Sequence, residues 1–134
     1  MKVSQYVKEY TNGKPIILRN VFSEIRELIA EIVKMSKEGI KEEFEDVLHF
    51  FQLWFFWRFG LNGEIWKSTK NSTKKFMDRK PIWNKIYLEA GLSENVSNFC
   101  GNCMKVHKVV NHLQKFGISK EKAEEAHKKV VLGK

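Results

Sequence analysis

Residues 47–59, with the sequence VLHFFQLWFFWRF, constrain the fold more than any other segment of the chain. The segment is apolar on nearly every side of a helix and carries seven aromatic rings. It is too short to cross a bilayer, which takes about 20 apolar residues. A helix without a polar face is either a central core helix or part of an oligomer interface. We therefore expect a homodimer or homotetramer, with Phe55 or Phe56 in the subunit interface.

Composition limits the class of protein. A chain of 134 residues is most simply one domain with a real core, and 43% hydrophobic with 30% charged residues fits a soluble globular protein. The net charge of +8 favours a polyanionic partner, such as a nucleotide, a nucleic acid or an anionic surface. The opening MKVSQYVKEY contains no signal-like apolar run, and two cysteines do not make a disulfide scaffold. We expect a cytoplasmic protein without a membrane-spanning segment.

Glycine, proline and capping residues divide the chain into predicted helices. The predicted helices begin at Asn20 or Ser23 and end near residue 37, then cover about 41–59, 64–79, 82–90 and 93–116, with a last helix capped by Ser119. Gly39 is expected to end the first, Pro81 to separate the third from the fourth, and Gly101 to interrupt the fifth. Residues 16–18 could be extended, and no strand pair is recognisable. The sequence predicts an all-α helical bundle with short loops.

Two pairs of carboxylates at one-turn spacing suggest a metal site. Glu24 and Glu27 form one pair, and Glu43 and Asp46 form the other. A gap of three residues puts both members of a pair on the same helix face. Two such pairs on facing helices would make a cage of oxygen ligands that suits a hard divalent cation such as magnesium. The alternative is a solvated acidic cluster, because acidic residues favour helix N-termini.

A basic stretch and an aromatic face complete the pattern. Six basic residues and a single acid, Asp78, lie within residues 67–80. The face that contains Asp46 continues through Phe50 and Trp54, so it passes from acidic to aromatic over about three turns. A nucleotide needs a cation near its phosphates and a flat surface near its base. The alternatives are core or dimer packing for the rings and a solvated helix face for the lysines.

These motifs resemble a known family. Residues 23–27 (SEIRE), 43–46 (EFED) and 70–81 (KNSTKKFMDRKP) are similar to the motifs of the all-α nucleoside triphosphate pyrophosphohydrolases, the MazG-like superfamily. Ser23 stands where that family often has a further glutamate. The resemblance implies a single all-α domain over 1–134, with a MazG-like core at 21–92 and a helical C-terminal extension at 93–134.

The resemblance also implies an activity and its residues. The expected reaction is Mg²⁺-dependent hydrolysis of an NTP or dNTP to the monophosphate and pyrophosphate, with Mn²⁺ as a substitute ion. The implied roles are metal ligation by Glu24, Glu27, Glu43 and Asp46, general base catalysis by Glu27 or Glu31, and substrate binding by Phe50, Trp54, Lys70, Asn71, Lys74 and Arg79.

Other readings of the sequence remain open. One is a non-catalytic basic helical protein that binds nucleic acid or a protein partner, and another is an inactive relative that senses nucleotides. A zinc site at Cys100, Cys103 and His107 is a further hypothesis, but the spacing does not match the familiar zinc fingers. We expect core thiols and surface histidines there instead of zinc.

Overall fold

A computed structural model describes residues 1–14, 16–34, 36–94, 96 and 103–134. Within these residues the protein is all-helical, without strands, apart from an isolated bridge between Lys2 and Glu64. The helices are α1 (Val3–Tyr10), α2 (Leu18–Lys34), α3 (Lys37–Arg58), a 3-10 turn (Lys67–Thr69), α4 (Lys70–Glu89), α5 (Val106–Gln114) and α6 (Lys120–Val130). The all-α prediction is confirmed for this part of the chain.

The chain divides into two compact units, Met1–Lys75 and Phe76–Lys134. The division falls inside α4, whereas the sequence placed the boundary between core and extension at residues 92 and 93. The first unit contains α1, α2, α3 and the start of α4. The second contains the rest of α4 together with α5 and α6.

α2 and α3 form the main helix pair of the first unit. Only two residues separate them, so they run antiparallel. The Ser36 hydroxyl caps α3 by accepting a hydrogen bond from the backbone N–H of Gly39 at 3.1 Å. The prediction that Gly39 ends the first helix was therefore wrong. Gly39 lies in the first turn of α3, because the serine cap starts the new helix three residues before it.

The polar residues within 47–59 bind the other elements of the first unit. His49 is fully buried, with its two ring nitrogens 3.1 Å from the hydroxyls of Tyr6 and Thr73. Gln52, also fully buried, donates to the hydroxyl of Thr69 at 2.6 Å. The segment is thus a core helix with a hydrogen-bonded polar face. No described helix is both long and apolar enough to span a membrane.

α4 differs from its prediction. It starts at Lys70, after the 3-10 turn, and runs without a break through Pro81 to Glu89. The predicted separation into two helices at Pro81 was wrong. Proline removes one backbone hydrogen bond from a helix interior, but Trp83 and Ile86 are fully buried just beyond it. Their packing holds the helix together despite the loss.

The second unit is built around side chains from its three helical segments. Its core contains Trp83, Ile86, Tyr87, Ala90, Val109, Val110, Leu113, Ala123 and Ala126. Gly117 turns the chain between α5 and α6 with φ +81°, and the Ser119 hydroxyl caps α6, as predicted, by accepting from Lys122 at 3.3 Å. The helix predicted to start at Ser93 is absent from the described residues before Val106. Gly101 lies outside them.

Candidate metal centre

Three carboxylates from α2 and α3 converge in the first unit. One oxygen from each of Glu24, Glu27 and Glu43 lies within 4.8 Å of the other two. Two ligands of one hard cation lie at most about 5 Å apart, because each metal–oxygen bond is about 2.0–2.6 Å. Glu24 and Glu27 share a face by their spacing, and the antiparallel pairing brings Glu43 opposite them. Three of the four predicted metal ligands thus lie close enough for one ion.

Burial and mutual repulsion hold protons on two of these groups. The pKa of Glu24 rises from 4.5 to about 8, first because of burial and then because of the charges of Glu27, Asp46 and Glu43. Burial is also the main reason that the pKa of Glu43 rises to about 7. The charges of Glu27 and Asp46 raise this pKa further, and the charge of Lys75 lowers it.

The same two residues carry unpaired oxygens. The buried Oε2 atoms of Glu24 and Glu43 accept no hydrogen bond from the described residues. Buried carboxylate oxygens without donors are costly. A divalent cation would supply the missing partner and offset the repulsion, so the donor set fits a hard ion such as Mg²⁺ or Mn²⁺.

Asp46 has a different set of contacts from the other three. It is 4% exposed, and its two oxygens accept from the Lys75 ammonium at 2.8 Å each. The Ser72 hydroxyl donates to Oδ1 at 2.6 Å. Asp46 therefore binds α3 to the start of α4, while its charge still raises the pKa of Glu24 and Glu43.

Lys75 is a basic residue of this site that the sequence analysis missed. The predicted phosphate-binding residues were Lys70, Asn71, Lys74 and Arg79. Lys75 lies in the same stretch, but nothing in local spacing separates one lysine of six basic residues from another. Its contact with Asp46 depends on how α4 meets α3.

Glu45, a neighbour of Asp46 in α3, binds the first turn of α4. Its carboxylate accepts from the backbone N–H of Ser72, and the Asn71 amide donates to it at 3.5 Å. These donors lie in the first turn of α4, where the helix dipole favours a negative charge. The acidic residues 42–46 of α3 thus include Glu45, which binds the N-terminus of α4, as well as Glu43, which faces α2.

Polar residues of α3 and α4 line a groove of about 400 Å³ in the first unit. Its lining consists of Glu38, Lys41, Glu42, Glu45, Asn71, Ser72 and Lys75. Ser72 and Lys75 both contact Asp46, so the groove lies next to Asp46, whereas Glu24, Glu27 and Glu43 are not among its lining residues. Of the predicted substrate-binding residues, Asn71 is in the lining, and Lys70 and Lys74 are exposed on the same helix.

The remaining predicted site residues lie elsewhere. Glu31 pairs with Lys34 at 3.7 Å and lies against Gly39, so it is at the α2–α3 connection and outside the three-carboxylate group. Phe50 is 2% exposed and packs edge-on against His49. Trp54 is half-buried.

Two predictions concern the second unit. Arg79 belongs to it, and its guanidinium lies over the Phe76 ring at 5.4 Å. In the proposed zinc set, Cys103 is a partly buried free thiol and His107 is exposed, while Cys100 lies outside the described residues. Among described residues, Cys103 and His107 belong to no group of ligands at metal-binding distances.

Comparisons with protein family models, curated proteins and solved structures gave no match for this chain. Glu24, Glu27 and Glu43, together with the groove next to Asp46, are the features of the chain that bear on its chemistry.

Proposed function

We propose that this protein is a magnesium-dependent nucleoside triphosphate pyrophosphohydrolase, of the kind that its MazG-like motifs resemble. The observation that carries the proposal is the convergence of Glu24, Glu27 and Glu43 from two helices. A protein that only binds polyanions gains nothing from three carboxylates at one point, two of them with unpaired buried oxygens. These carboxylates would hold a divalent cation, and the cation would neutralise the charge of a bound phosphate.

Each part of the site has a role in that reaction. Bound magnesium would neutralise phosphate charge and lower the pKa of an attacking water. Glu24 and Glu43 would hold the ion. Glu27 is the most exposed of the three and remains accessible to water, so we assign it the role of general base and prefer it to Glu31.

The groove next to Asp46 offers cationic and amide side chains to a phosphate chain. Its lining includes Lys41, Asn71 and Lys75, and the Lys75 ammonium is also paired with Asp46 at 2.8 Å. Glutamates on the α3 side would repel phosphate without a cation, so substrate binding should depend on the metal. Trp54 keeps exposed ring surface that a base could contact, whereas Phe50 has almost none. We therefore favour Trp54 of the two.

A hydrolysis screen tests the proposal. The common ribo- and deoxyribonucleoside triphosphates are incubated with Mg²⁺, and pyrophosphate release is measured for the wild type, Glu24→Gln and Glu43→Gln. We expect both variants to lose activity at least 100-fold, because each removes a charged metal ligand. Glu121→Gln is the control for loss of one carboxylate, since Glu121 is exposed in the other unit and outside both the carboxylate group and the groove, and it should retain activity. Unchanged turnover in both ligand variants would exclude the metal centre.

The inactive-relative hypothesis predicts a different outcome of the same screen. Nucleotide and Mg²⁺ would then raise the melting temperature without any pyrophosphate appearing. Ser23, in place of a family glutamate, is the residue to change in that case. Gain of hydrolysis in Ser23→Glu would assign the missing activity to this position.

A specific observation also favours a nucleic-acid-binding function. α5 and α6 are consecutive helices joined by residues 115–119, with Gly117 at positive φ and a Ser119 cap. Residues 105–134 carry eight lysines and three glutamates. This reading predicts metal-independent binding to duplex DNA that weakens steeply with salt. Fluorescence anisotropy with a labelled duplex tests it, and Glu24→Gln should bind equally well.

A further inference from the structure

α2 has an apolar face that the described residues leave uncovered. Leu18, Phe22, Ile25, Ile29 and Ile32 follow one another at intervals of four, three, four and three residues. This is the spacing of a heptad seam, which packs against a second helix. Ile25 is half-buried. The other four side chains, together with that of the adjacent Val33, are 41% to 76% exposed. The face is thus built like a helix–helix contact that has one partner missing.

α3 has a second face of the same kind. Phe44, Leu48, Phe51 and Phe55 follow at intervals of four, three and four. Phe44 and Phe51 are exposed, and Leu48 and Phe55 are half-exposed. Phe56 belongs to another side of the helix, because successive residues are rotated by about 100° and five residues by about 140°, which turns Phe56 away from both Phe55 and Phe51.

The uncovered area matches what a stable dimer requires. The exposed fractions of the α2 face, Phe44 and Phe51 amount to roughly 700 Å² of apolar surface, at about 200 Å² for a whole large side chain. A standard interface buries about 800 Å² per partner, of which about 500 Å² is apolar. Monomeric proteins seldom expose a patch this large.

We propose that these two faces form a homodimer interface in which the α2–α3 hairpins of two copies pack as a four-helix bundle. A second copy is the occupant that the pattern specifies, because two antiparallel helices with heptad-spaced faces are half of such a bundle. A two-fold axis lets one surface serve both partners. Phe55 lies in this interface and Phe56 outside it, which divides the two residues predicted from sequence. The proposal does not depend on the proposed hydrolase activity.

Sedimentation equilibrium and light scattering test the dimer at roughly 5–100 µM, a range in which interfaces of this size associate. We expect a wild-type dimer and monomers for Phe22→Asp and Ile29→Asp, since a charge would enter the apolar seam. Leu88→Asp is the matched control: Leu88 is 53% exposed on the other unit, and that variant should stay dimeric.

Ile29→Ala keeps the test decisive if the aspartate variants fail to fold. This change is mild for a monomer, because Ile29 is more than half exposed. In a dimer it removes contacts from both copies, and the dissociation constant should rise about 100-fold. A wild-type monomer at the highest concentration, or an unchanged dissociation constant in Ile29→Ala, would overturn the proposal. A monomer that binds anionic vesicles through Phe22 would assign the face to a membrane surface instead.

Discussion

At the residue scale, Glu24 and Glu43 are groups whose protonation would link folding stability to binding of the proposed metal ion. Their pKa values of about 8 and about 7 lie above the ordinary 4.5. The folded chain therefore keeps protons that the unfolded chain releases between these values. Stability from this source is fully present below pH 4.5 and is lost as the pH rises toward 8. Because a metal needs the deprotonated carboxylates, its affinity should rise over the same interval.

This linkage predicts that the metal-free protein becomes less stable between about pH 7.5 and about pH 8.5, and that Glu24→Gln removes most of the decrease. The lower limit lies about one unit above 6.5, the ordinary pKa of His49 and His112, because an unfolded histidine is still half protonated at pH 6.5. Burial lowers the pKa of both in the folded chain, to about 3 for His49, so that both are neutral in both states above this limit. Urea unfolding in the presence of a chelator measures the effect. An equal slope in Glu24→Gln and wild type would show that Glu24 titrates normally.

Asp46 belongs to the carboxylate pattern that predicts a metal site, but its carboxylate forms an ion pair with Lys75. Asp46→Asn keeps the shape of the side chain but leaves the Lys75 ammonium without its carboxylate. We expect a loss of roughly 2–3 kcal/mol in the free energy of unfolding, somewhat below the cost of breaking a fully buried pair because Lys75 is 32% exposed. Urea denaturation checks this value. A loss near zero would mean that Lys75 is fully solvated.

At the scale of elements, α4 tests how tertiary packing overrides a helix breaker. Pro81→Ala should restore the hydrogen bond to the carbonyl of Met77, four residues earlier. Pro81 is exposed, so the change removes little packing. We expect the free energy of unfolding to rise by about 1–2 kcal/mol, after the greater flexibility of unfolded alanine is subtracted.

Lys85→Ala, an exposed substitution one turn further along α4, is the control for Pro81→Ala and should change stability by less than about 0.5 kcal/mol. Denaturant midpoints of the two variants provide the comparison. If Pro81→Ala is neutral or destabilising, the proline already has a compensating contact in the folded chain.

At the scale of the whole molecule, ligand binding should stabilise the protein in a way that distinguishes the two proposed functions. Mg²⁺ with a slowly hydrolysed triphosphate should raise the melting temperature more than either alone, because both bind only the folded state. Glu43→Gln should abolish the joint effect. A shift produced by duplex DNA without metal, and lost at high salt, would support the nucleic-acid reading instead.

Several elements were predictable because their causes are local. The spacing of apolar residues in α2, the Ser119 cap of α6 and the one-turn separation of Glu24 and Glu27 all follow from neighbours within a few residues. The side-chain period of a helix fixes which residues share a face. These features brought the sequence analysis to an all-α fold with a candidate metal centre.

What the sequence by itself determined was therefore the helical class and the faces that carry carboxylates and apolar rings. Only the tertiary structure decided which residue meets which. It paired Asp46 with Lys75, placed Phe50 in the interior and left the α2 face uncovered. Such contacts join residues far apart in the chain, and local spacing carries no information about the partner. Pro81 is a further example. Proline disfavours a helix, but the buried side chains that follow it stabilise α4 by more than the proline costs.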